Sequence, residues 1–121
     1  MLDINQATQY EGRLLLDPQG NLVGDPDWNE QAAAQMAKEM GLKLSAEHWD
    51  VIRYVRDHYR QCGVPSSGMS LLRCMEDHFV RQGGRRHLYQ LFPGGPVTQA
   101  TCIAGLASPP YSKDPSFGTV E

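Results

Sequence analysis

Leu44-Ser45-Ala46-Glu47-His48-Trp49-Asp50-Val51-Ile52-Arg53-Tyr54-Val55-Arg56-Asp57-His58-Tyr59 reads as one capped amphipathic helix. Ser45 offers a hydroxyl to the unpaired N–H groups of a first helical turn. Glu47 adds negative charge near the positive end of the helix. Trp49, Ile52, Val55 and Tyr59 recur every three or four residues and form its apolar face. Cys62-Gly63 closes it. Arg53, Arg56 and Arg60 fall at helical spacing on one side, where a solvated basic face is the plainest reading.

Upstream, the spacing predicts a shorter helix that begins at Asp27. Asp27-Trp28-Asn29-Glu30 has the form of a capping box, and Trp28, Ala32, Met36 and Met40 repeat every fourth residue until Gly41. Before it, Leu14-Leu15-Leu16, Asp17-Pro18-Gln19-Gly20-Asn21 and Leu22-Val23 predict a β-hairpin within the first 25 residues. Asp opens a type I turn, Pro fixes φ at the next position, and Gly20 is free to take the left-handed conformation that follows. An isolated hairpin is marginal in water, so this one must pack on the helices.

Downstream, Val64 to Gly68 is a tight connection into a third helix whose inner side is Leu71, Leu72, Met75 and Phe79. After Gly83-Gly84 a short basic helix carries Leu88, Leu91 and Phe92 inward. Pro93-Gly94-Gly95 interrupts it. Pro96 suits the first turn of a last helix that ends at Gly105. Residues from about 107 to 121 are rich in Pro, Ser, Gly and charge and predict a flexible tail on a single domain spanning 1–121.

The chain has 121 residues and a formal net charge of −3, so nothing global draws it to nucleic acid or an anionic membrane. No apolar run approaches the roughly 20 residues that span a bilayer. Met1 to Gln6 has neither a basic nor an apolar leader region, which points to the cytoplasm. The three cysteines, Cys62, Cys74 and Cys102, are an odd number with no C-x-x-C spacing, which argues against a disulfide framework. The four histidines are scattered, and neither a metal site nor a cofactor is expected. His48 beside Glu47 suggests catalysis only superficially. Neighbours on a helix point about 100° apart, and a packing or capping histidine is the better reading.

The helix quoted above resembles that of the DsrC/TusE family of small sulfur-relay proteins. So does a second stretch: Leu88-Tyr89-Gln90-Leu91-Phe92-Pro93-Gly94-Gly95-Pro96, then Gln99-Ala100-Thr101-Cys102-Ile103-Ala104-Gly105-Leu106. With the hairpin and the Trp28 helix in register, the resemblance runs from about residue 11 to about 110. It implies a mostly helical α+β fold, with an N-terminal β-hairpin packed on a small helical bundle that holds a helix-turn-helix-like part and ends in a C-terminal arm. It also implies partners among sulfur-relay proteins or a sulfite reductase-type complex, and the chain itself is expected to be a monomer.

In that family a penultimate cysteine on the arm carries sulfur, and DsrC proper adds a second cysteine eleven residues earlier. By the same register the earlier position is Thr101 here and the penultimate one is Ser112. The residues from Lys113 to Glu121 hold no cysteine. A hydroxyl is no replacement, because persulfide chemistry runs through a thiolate. Cys102 is the one cysteine near the arm. On a helix over 97–104, Val97, Ala100, Thr101 and Ala104 share a face, and Cys102 points about 140° away from Val97. It is therefore exposed, but it lies near the negative end of its helix, where nothing acidifies it. Cys74 reads as half-buried and structural.

Three functions stay open on the sequence, and none makes the chain a stand-alone enzyme. One is relay through the unusual thiol of Cys102. Another is a docking or regulatory member without carrier chemistry, with Arg81, Arg85 and Arg86 as the candidate partner surface. The third is a DNA-binding regulator that uses the helix-turn-helix-like part, with weak nucleic-acid binding by a local basic patch.

Overall fold

The computed structural model describes residues 15–110. Among them are five α-helices: α1 (Glu30–Glu39), α2 (Ala46–Cys62), α3 (Gly68–His78), α4 (Gly84–Leu91) and α5 (Pro96–Ile103). A 3₁₀ turn, Val80–Gln82, links α3 to α4. None of these helices is long and apolar enough to cross a membrane.

Local chemistry sets most of the boundaries. The Ser45 hydroxyl accepts from the His48 N–H, and the His48 ring in turn accepts from the Ser45 N–H at 3.1 Å, so His48 takes the place usually held by Glu in a capping box. Ser67 caps α3 by accepting from the Ser70 N–H. Pro96 opens α5 in the first turn, where its missing N–H costs nothing.

The start of α1 differs from the sequence expectation. Asn29, not Asp27, is the cap and accepts from the Ala32 N–H at 2.8 Å. Residues 25–28 form a turn in which Asp25 receives the Asp27 and Trp28 N–H groups. The helix therefore starts two residues after Trp28, and its inner face is Ala33 and Ala37, with Met36 and Met40 half-buried and Ala32 exposed.

No strand is formed among the described residues. Two isolated antiparallel bridges, Leu16 with Leu22 and Gly24 with Leu106, set three short segments side by side. The turn between Leu16 and Leu22 is closed by Gly20 N–H donating to the Asp17 carbonyl and Asp17 N–H to the Asn21 carbonyl, with Gly20 at φ +86°. The Asp17 carboxylate accepts from the Gln19 and Asn21 N–H groups, and these bonds hold its pKa below the ordinary value, that to Asn21 most of all. The remainder of the expected hairpin, residues 1–14, lies outside the described residues.

α5 is the centre of the bundle and packs on the four other helices. Val97, Ala100, Thr101, Ile103 and Ala104 are buried, as are Ile52, Val55 and Tyr59 of α2, Leu71, Leu72 and Met75 of α3, and Leu88 and Phe92 at α4. Phe92 is fully buried, with its ring edge-on to His48 at 5.1 Å. Trp49, expected in the core, is only half-buried and packs at its rim. Of the tail expected from residue 107, the described part, 107–110, is bonded to the body. Ala107 N–H donates to the Val23 carbonyl, the Pro110 carbonyl accepts from Gly68 N–H, and Pro109 is buried. Residues 111–121 lie outside the described residues.

Phe92→Ala is expected to lose about 3–5 kcal/mol of unfolding free energy in a denaturant titration. Trp49→Ala, at the rim, should lose clearly less. Equal losses would show that Trp49 is packed as deeply as Phe92.

Candidate functional site

An α-helix ends with carbonyls that have no partner within the helix. At the end of α5 those carbonyls lie in the protein's interior, and each finds a donor. Gly105, at φ +70°, allows a Schellman turn: Leu106 N–H donates to the Thr101 carbonyl at 2.9 Å and Gly105 N–H to that of Cys102 at 3.1 Å. The next two carbonyls are met by side chains from far along the chain. Trp28 Nε1–H donates to Ile103 at 2.7 Å, and the Arg56 guanidinium donates to Ala104 at 2.6 Å. Asp25 N–H then serves Gly105 at 2.7 Å, and the Tyr59 hydroxyl donates to Ala107, also at 2.7 Å.

The two long side chains support each other. The Arg56 guanidinium carbon lies 3.9 Å from the centre of the Trp28 ring, a cation–π contact. Gly105 is held against that ring: a Cβ there would meet Trp28 Cδ1 at 2.5 Å. Arg56 itself is buried. Desolvation, with Arg60 nearby, pushes its pKa down to about 10, so it stays cationic at neutral pH. The solvated face expected of Arg53, Arg56 and Arg60 is therefore corrected at its middle member. Arg53 and Arg60 are exposed and bonded to Asp50 and Asp57, while Arg56 points into the fold. The sequence did carry a signal for this, because Arg56 is in helical phase with buried Ile52 and Tyr59.

On the same helix, Thr101 is buried and its hydroxyl donates back to the Val97 carbonyl at 2.7 Å. Cys102 is exposed. Partial burial, and then the nearby Glu39 carboxylate, push its thiol above the ordinary value. Cys62 is exposed and Cys74 is half-buried. Ser112 lies outside the described residues. Arg81, Arg85 and Arg86 are exposed, and Arg85 is bound to Glu76. Among the described residues no three His, Cys, Asp or Glu side chains are placed to hold a metal ion.

His48 is occupied structurally. Backbone N–H of Ser45 can only donate and the Leu91 carbonyl can only accept. The ring therefore keeps its proton on Nε2, which lies 2.7 Å from the Leu91 oxygen. This histidine ties the start of α2 to the end of α4 and offers nothing to a reacting group.

The arrangement is a buried helix end from which an arm departs, next to an unactivated thiol. The family model described as DsrC like protein matches residues 9–111. The chain belongs to the DsrC-like family. It is 39% identical over 103 residues to the sulfurtransferase TusE of Yersinia pseudotuberculosis, covering 84% of this chain and 95% of that one. To the sulfurtransferase TusE of Escherichia coli K12 it is 40% identical over 102 residues, 83% and 94% of the two chains. Among solved structures it is similar to Allochromatium vinosum DsrC determined by NMR, with a TM-score of 0.61 and 35% identity over 78% of this chain and 85% of that one. It is also similar to the oxidized gamma-subunit of the dissimilatory sulfite reductase (DsrC) from Archaeoglobus fulgidus in a crystal structure. That likeness has a TM-score of 0.58 and 31% identity over 73% and 80% of the two chains.

The raised pKa of Cys102 gives a direct expectation for this DsrC-like chain. With Cys62 and Cys74 replaced by serine, Cys102 should alkylate with iodoacetamide more slowly at pH 7 than a free thiol does. Its rate should keep rising with pH beyond the point where a free thiol levels off, because the thiolate is the nucleophile. A rate at pH 7 above that of the free thiol would reverse the assignment.

Proposed function

We propose that this chain is a sulfur-relay protein of the DsrC-like family that acts by docking to relay partners, with no sulfur carried on its arm. One observation supports this above the others: by the family's register the carrier position on the arm falls on Ser112, a hydroxyl, while the earlier position is Thr101, buried and bonded to its own helix. The neighbouring thiol of Cys102 is reachable but held toward its protonated form. The relatives supply the context, since TusE is named a sulfurtransferase and one DsrC is named a subunit of sulfite reductase. By this reading the partners are sulfur-relay proteins or a sulfite reductase-type complex, met in the cytoplasm by a monomer. Arg81, Arg85 and Arg86 are the proposed contact surface, presented around the 3₁₀ turn and the first turn of α4. For nucleic acid the net charge of −3 is unfavourable, and Arg85 already has a carboxylate partner.

The exposure of Cys102 favours one other reading, a single persulfide on that sulfur. Incubation with a persulfide donor followed by intact-mass analysis separates the two. Docking without carriage predicts no lasting gain of sulfur, with binding to a purified relay complex retained and weakened by Arg81→Glu/Arg86→Glu. A gain of one sulfur that Cys102→Ser abolishes would establish a relay thiol and overturn the proposal.

A further inference from the structure

Residues 104–110 are attached to the body mainly by hydrogen bonds and only slightly by apolar burial. Of these seven residues only Ala104, Leu106 and Pro109 are buried, and Ala107, Ser108 and Pro110 are exposed. Against that thin apolar contact stand five bonds from outside the segment. Arg56 donates to Ala104, Asp25 N–H to Gly105, Tyr59 to Ala107 and Gly68 N–H to Pro110, while Ala107 N–H donates to Val23. Trp28 meets the last carbonyl of α5 just before them. Segments with few buried apolar contacts open at a free energy below that of global unfolding.

We propose that Trp28, Arg56 and Tyr59 are positioning residues that clamp the root of the C-terminal arm, residues 104–110, as a unit that opens separately from the helical core. Each of the three brings a side-chain donor to a carbonyl of 103–107. Ile103 and Ala104 are buried, so loss of the Trp28 or Arg56 donor leaves a carbonyl where water replaces it poorly. The clamp thereby fixes the path of 104–110, which ends beside Gly68 at the start of α3. This inference concerns the chain's own mechanics and stands whether or not the protein serves sulfur relay.

Amide hydrogen exchange on the full chain tests it, without any partner. Tyr59→Phe keeps a fully buried ring and removes only the hydroxyl, and Trp28→Phe keeps an aromatic ring but removes the N–H together with part of the indole. In the double variant the amides of Asp25, Ala107 and Gly68, whose bonds all involve the arm root, are expected to exchange faster together, by about tenfold. The Phe92 amide, bonded within the core to the Leu88 carbonyl, should keep its rate. The single Tyr59→Phe variant should move the same three amides by a smaller factor, and it serves should the double variant not fold. Equal acceleration at Phe92 would reduce the three residues to ordinary contributors to stability, and unchanged or uncorrelated rates at the three amides would remove the clamp. Either result overturns the proposal.

Discussion

A helix cannot satisfy its own last carbonyls, and α5 ends inside the protein. Much of the long-range architecture follows from that single constraint. An unpaired buried carbonyl costs about 1–3 kcal/mol, and the end of α5 presents several. The Schellman turn at Gly105 covers the first two with backbone, which is why the chain needs a residue there that accepts φ +70°. The next two need donors long enough to reach from elsewhere. An indole N–H and a guanidinium provide them, one from the turn before α1 and the other from the middle of α2. The placement of the first helix, the burial of a charged residue in the second and the path of the last segment are thus tied to one another.

That tie also explains why the N-terminal segments and the arm root meet. Val23 and Asp25 bond to Ala107 and Gly105 on either side of the Gly24–Leu106 bridge. A two-stranded ribbon on its own is marginal. Here a third segment lies beside it, and that segment is itself held by Tyr59 and Arg56. Gly24 belongs to the same geometry, since a Cβ on it would come 2.9 Å from the Gly105 carbonyl oxygen.

The parts of this structure that were legible in the sequence are those decided within a few residues. Ser45 as a cap, Pro96 as a first-turn residue, the inward set of Leu88, Leu91 and Phe92, and the opposite facings of Thr101 and Cys102 all follow from local chemistry and the 100° step of a helix. The misread residues are those whose surroundings come from far away. Asp27 and Asn29 are both competent caps two residues apart. The choice between them is made by Trp28, which is drawn out of the helix to a carbonyl 75 residues on. Arg56 sits among charges that suggest a solvated face, and its burial depends on Ala104 and the Trp28 ring, neither of which is near it in sequence. Trp49 failed differently. It lies on the apolar side of α2, but its ring is only partly buried against the core.

The same geometry bears on the thiol. Cys102 lies in the last turn of α5, where the helix presents partial negative charge, and its own carbonyl is engaged by the Gly105 N–H. Partial burial adds a desolvation cost to any thiolate, and Glu39, at the end of α1, adds negative charge nearby. The buried cation at this end of the helix, Arg56, is directed to the Ala104 carbonyl and stacked on Trp28. A relay thiol needs a cation, a helix N-terminus or a nearby base to favour its reactive form. At Cys102 the helix end, the carboxylate and the desolvation all act the other way. The carbonyls that close α5 and the thiol beside them thus share one helix end, and its partial negative charge serves the donors that meet those carbonyls while it disfavours a thiolate.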